Sequence, residues 1–171
     1  MGRYRKPAWI AVIALLLLVS CASPHRQSFL NQTRVNLSLD DEELKQLPFY
    51  TSTNVLVHYD GPSGTQALFF PAETPGVVTA VGPDWLQVRF REGGAEVPFV
   101  VDPRVYGAYY VATELPGQAG FHLLKDLPQK VFYYYGTPYQ VIYGADAHLE
   151  VDDQALQTFL EERIPTEGRR P

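Results

Sequence analysis

The chain of 171 residues has one cysteine, Cys21, and one methionine. A single thiol excludes an internal disulfide framework, and it leaves no pair of cysteines for a zinc site. The four histidines, His25, His58, His122 and His148, stand apart from one another, and no His-Glu-x-x-His motif occurs. Gly-x-Ser-x-Gly is absent too, and Gly61-Pro62-Ser63-Gly64 has the wrong spacing for a nucleophile elbow. Long apolar runs are missing after residue 19. Basic residues are few beyond the first six positions. Arg3, Arg5 and Lys6 account for three of the 14, so residues 21–171 hold 11 basic against 19 acidic side chains, a net of −8. Nucleic acid is therefore excluded as a partner, since phosphate binding needs a basic footprint. A polybasic membrane patch is excluded by the same balance.

What is present begins with an address. Arg3, Arg5 and Lys6 precede twelve apolar residues at 8–19. That length suits the h-region of a secretory signal, at about 7–15 residues, better than a spanning helix, which needs about 20. Ser20 supplies a small residue before Cys21. Leu18-Val19-Ser20-Cys21 closely resembles the bacterial lipobox. The resemblance implies cleavage before Cys21, a diacylglyceryl thioether on its sulfur, and acylation of the new amine, palmitate being one such chain. Two or more acyl chains give stable anchoring. Ala22 rather than Asp follows the cysteine, which implies the outer membrane, facing the periplasm. The expected organisation is a signal peptide at 1–20, the acylated cysteine and a flexible polar tether at 21–37, a mostly β domain at 38–164 and a disordered tail at 165–171.

Within that domain, residues 38–47 predict a helix capped by Ser38 or Asp40 and stopped by Pro48. Residues 49–59 are rich in β-branched and aromatic side chains and predict one strand. Short strands follow, separated by Gly- and Pro-bearing turns. Residues 85–91 alternate strictly, with Leu86, Val88 and Phe90 on one side. Residues 130–135 and 139–143 predict a hairpin about Gly136-Thr137-Pro138. Residues 152–163 predict a C-terminal helix with Leu156, Phe159 and Leu160 as its stripe.

The stretch Pro75-Gly76-Val77-Val78-Thr79-Ala80-Val81-Gly82-Pro83-Asp84-Trp85-Leu86-Gln87-Val88-Arg89-Phe90 looks like the core hairpin of SH3-like barrels. With Glu43-Leu44-Lys45-Gln46-Leu47-Pro48-Phe49-Tyr50, the pattern over residues 43–143 resembles small bacterial envelope lipoproteins. The resemblance implies a small SH3-like barrel or meander of short antiparallel strands with a helix at each end. It implies no active site.

Candidate chemistry is sparse. Asp146, His148, Glu150 and Asp152 alternate and would share one strand face, but an exposed polar face explains them without a metal. No cofactor and no catalytic set is expected. Glu73, Asp84, Glu92, Glu96, Asp102 and Glu114 fall at turns or strand ends. The aromatic cluster is more informative: Tyr133, Tyr134, Tyr135 and Tyr139 predict a ligand platform, because neighbouring strand residues face opposite sides and some rings must reach the surface. The expectation is a non-catalytic binding or assembly module, held to the membrane by acyl chains and engaging an envelope protein or peptidoglycan. A small cell-wall hydrolase, or a passive subunit of an envelope complex, is the alternative.

Overall fold

The computed structural model describes residues 25–90 and 94–163. Cys21, the signal segment and the tail expected at 165–171 lie outside the described residues. Among those described, no helix is long and apolar enough to cross a membrane.

The described residues are mostly β: among them, twelve short antiparallel strands form three sheets, with few helices. One sheet is ordered β1 (Arg26–Ser28), β12 (Leu149–Asp152), β2 (Phe49–Thr51). The second is β10 (Val131–Tyr134), β11 (Thr137–Tyr143), β3 (Val55–Gly61), β4 (Gly64–Phe70). The third is the meander β5 (Val77–Val81), β6 (Trp85–Arg89), β7 (Glu96–Asp102), β8 (Ala108–Glu114), β9 (Phe121–Leu123). The meander and flanking helices answer the sequence expectation, but among the described residues no sheet closes into a barrel.

The meander follows from alternation. Leu86 and Val88 of β6 are buried, and Trp85, Gln87 and Arg89 between them are half-exposed. β8 is the spine of the molecule. It pairs with β7 through Ala108–Val111 and with β9 through Ala112–Glu114, and bridges Leu30 and His148 as well. Its burial on both faces matches its apolar sequence, with Ala108, Tyr109, Val111, Ala112 and Thr113 all inside. The β7–β8 ladder ends at Phe99–Val111, one residue short of Pro98. Proline has no N–H to donate, so a ladder bond cannot be carried through it.

The tether expected over residues 21–37 is corrected from Arg26 onward. β1 pairs with β12, and Phe29 is fully buried. A short helix, α1 (Asn31–Asn36), follows. Phe29 packs edge-on against Phe49, ring centroids 4.9 Å apart. The polar residues around Phe29 hide its role in the sequence, since one apolar anchor gives no period.

The helix expected over 38–47 contracts to one turn, α2 (Asp41–Leu44). Its start is as expected: the Asp40 carboxylate accepts from Glu43 N and the Glu43 carboxylate accepts from Asp40 N, both at 2.9 Å. Glu43 also takes Arg163 Nε at 2.6 Å from the end of α3 (Asp153–Arg163), whose guanidinium donates to Leu37 O and Ser38 O. The single strand expected at 49–59 is two strands in two sheets, bent at Ser52–Asn54, where Asn54 Oδ1 accepts from Ala72 N at 2.8 Å.

Candidate functional site: a tyrosine-rimmed acidic groove

The β10–β11 hairpin turns on two residues, Tyr135 and Gly136, between the paired Tyr134 and Thr137. Both have positive φ, +46° and +76°. A two-residue turn of that kind matches the right-handed twist of its strands, and it favours Asn-Gly or Asp-Gly. Tyr135 is therefore the wrong residue for the backbone, since a bulky side chain at positive φ is strained. Its ring is 87% exposed and gains little from burial. It lies instead against Tyr134, centroids 4.5 Å apart. Tyr106-Gly107 has the same exposed, positive-φ geometry (+50° and +73°), so what sets Tyr135 apart is its place at the rim of a groove rather than its backbone alone.

Tyr133, Tyr134 and Tyr135 line a groove of about 160 Å³ together with Gln87, Glu96, Pro98, Glu114 and Phe121. Three elements converge here. Gln87 and Pro98 are cross-strand partners of β6 and β7, and Glu114 and Phe121 are partners of β8 and β9. The tyrosine hairpin forms the remaining side. Trp85 lies on the same face of β6 as Gln87, its ring 5.2 Å from that of Phe121. The groove lies where the β7–β8 ladder has ended beside Pro98.

The electrostatics are one-sided. Glu96 meets Arg89 only loosely, at 3.9 Å, and Glu114 has no ion pair among the described residues. Burial pushes the Tyr134 phenol up, and Tyr135 and the Glu96 charge push it further in the same direction. A second trough, of about 480 Å³, shares Glu114 and Tyr133 with the groove and runs along the loop Leu115–Gly120.

Of the tyrosines expected to form a platform, three come together and one does not. Tyr139 is buried, paired with Phe132 on the inward side, and its hydroxyl donates to Gln66 Oε1 at 3.1 Å. It supports the hairpin and is not available to a ligand. Glu96 and Glu114 were legible only as strand-end charges; their convergence with the tyrosines depends on long-range pairing that no local pattern encodes.

The remaining polar clusters have internal partners. His148 Nε2 is 2.9 Å from Ser28 Oγ and 3.8 Å from Glu150 Oε1. Hydroxyl and carboxylate approach the same ring nitrogen, so the carboxylate does not orient the imidazole through its other nitrogen as a nucleophile–base–acid relay requires. Burial lowers the His148 pKa, against the raising effect of Glu150 and Asp146. Asp152, the last member of the alternating acidic set, instead accepts from Ala155 N at 2.8 Å at the start of α3. Among the described residues, no group of three or more potential metal ligands comes together. A larger cleft of about 390 Å³ beside Phe70 and Phe90 has Thr74 as the one polar side chain among its described lining residues.

Compared with known proteins, the chain matches no family model, no curated protein and no solved structure.

Proposed function

We propose that this protein is a lipid-anchored lipoprotein of a bacterial envelope, acylated at Cys21, whose folded domain is a non-catalytic binding module working through the groove rimmed by Tyr133, Tyr134 and Tyr135. The observation that carries this reading is Tyr135. A strained, exposed tyrosine is kept at a turn where asparagine would serve the backbone better, and it stands over a groove with two carboxylates.

The anchor and the domain belong together physically. The first strand starts at Arg26, five positions after Cys21. Five residues span at most about 18 Å even when fully extended. An acylated Cys21 thus holds the domain against the membrane surface, on the periplasmic side of the outer membrane in this reading. The partner is another envelope component within reach of that surface.

The test has two arms. Metabolic labelling with a palmitate analogue should mark the wild-type chain and not Cys21→Ala, which should also leave the membrane fraction. Cross-linking of the full chain in intact cells should give a defined envelope adduct that Tyr135→Asn depletes. Labelling that persists in Cys21→Ala overturns the anchor, and an adduct unaffected by Tyr135→Asn overturns the groove.

A further inference from the structure

We infer that the groove receives the cationic side chain, arginine above all, of an extended peptide segment on a protein partner. This deepens the reading of the groove as the binding surface and rests on it.

Size comes first. Sites for drug-sized ligands occupy roughly 300–1,000 Å³. The groove, at about 160 Å³, has room for a single side chain. The adjoining trough along Leu115–Gly120 shares two of its walls and gives the flanking backbone a place to lie, with Gln118 as a polar partner.

Charge comes next. Glu96 and Glu114 reach the groove from different strands, and no lysine or arginine is among its described lining residues. A carboxylate accepts two parallel N–H bonds from a guanidinium, a geometry that an ammonium cannot match. An anionic occupant would face two carboxylates, of which only Glu96 has a cation near it among the described residues, Arg89 at 3.9 Å.

The rings complete the match. Cations bind over tyrosine faces by attraction to the ring quadrupole. This chain already makes that contact internally: the Arg26 guanidinium carbon lies 3.8 Å from the Tyr50 ring centre, and Lys125 Nζ lies 3.4 Å from that of Tyr110. In the groove, the tyrosines have no such internal cation among the described residues.

The experiment titrates the full chain, in detergent micelles, with acetyl-Gly-Ser-Arg-Ser-Gly-amide and with its lysine, citrulline and glutamate counterparts, followed by NMR shifts of the groove residues. The arginine peptide should bind, lysine should bind more weakly, and citrulline and glutamate should lose roughly tenfold or more in affinity. Glu114→Gln should weaken the arginine peptide several-fold and flatten its salt dependence. Equal binding of arginine and citrulline peptides overturns the inference, as does the absence of binding by the arginine peptide. Preferential binding of a soluble peptidoglycan muropeptide also overturns it. In any of these cases, loss of the cellular adduct in Tyr135→Asn leaves the groove itself standing; an unchanged adduct removes both.

Discussion

The ring of Phe29 stacks on that of Tyr109, centroids 5.7 Å apart and planes 24° from parallel. The Tyr109 hydroxyl in turn donates to Asn31 Oδ1 at 2.9 Å. A segment that reads as a polar leader to the fold is thus fastened to Tyr109 of the central strand at two points, beside the Leu30–Ala108 bridge.

Phe29→Ala should therefore destabilise the domain by about 3–5 kcal/mol, the usual cost of removing a large ring from a close-packed core. Chemical denaturation checks this. A loss below about 1 kcal/mol, the range of a surface substitution, would return the segment to the role of a tether.

The Asp102 carboxylate is the most strongly held charge among the described residues. It is fully buried and takes Arg104 Nε at 2.8 Å, Arg104 N at 3.0 Å and Lys125 Nζ at 2.7 Å. The Arg104 hydrogen bonds are the largest cause, outweighing burial, and with Lys125 they hold its pKa far below the usual carboxylate range. A depressed folded-state pKa contributes stability that is fully present above the unfolded value of about 3.9 and is lost as pH falls below it. Asp102→Asn should cost on the order of 1–2 kcal/mol at neutral pH, because the bonds from Arg104 and Lys125 lose their charged acceptor while the exposed Arg104 keeps Asp126. The gap to wild type should narrow below about pH 4. A gap that stays constant from pH 7 to pH 3 would contradict this account.

His148 should titrate below the unperturbed histidine range of about 6.5, because burial outweighs its two acidic neighbours. Its lowered pKa contributes stability at neutral pH that is lost as pH falls through the folded value. An NMR titration of the ring protons reads this directly. A midpoint above about 6.5 would mean that Glu150 and Asp146 dominate instead.

Much of the fold is legible in local sequence, and the places where it is not have identifiable causes. The alternation at Trp85–Arg89 and the stripe of α3 report their environments faithfully, because each is set by one buried face. Residues 49–59 read as one strand because propensity does not record which sheet a residue joins; at the bend at Ser52–Asn54, Asn54 accepts from Ala72 N, 18 positions away. The tyrosine side of the groove is legible as a run of tyrosines. That Tyr139 belongs to the core is not, because its place depends on pairing with Phe132 and on Gln66 across the sheet. Glu96 and Glu114 become a pair of groove walls only when three separate β ladders form.

Tyr135 tests the central claim most directly. If it is retained for binding, Tyr135→Asn should make the turn better and the protein worse at its work. Relief of a left-handed backbone at a bulky residue is worth about 1 kcal/mol. The deciding measurement pairs thermal unfolding of the full chain with recovery of its envelope adduct for this one variant. The account predicts a higher melting temperature together with a depleted adduct. An adduct recovered in full, whatever the change in melting temperature, would contradict it.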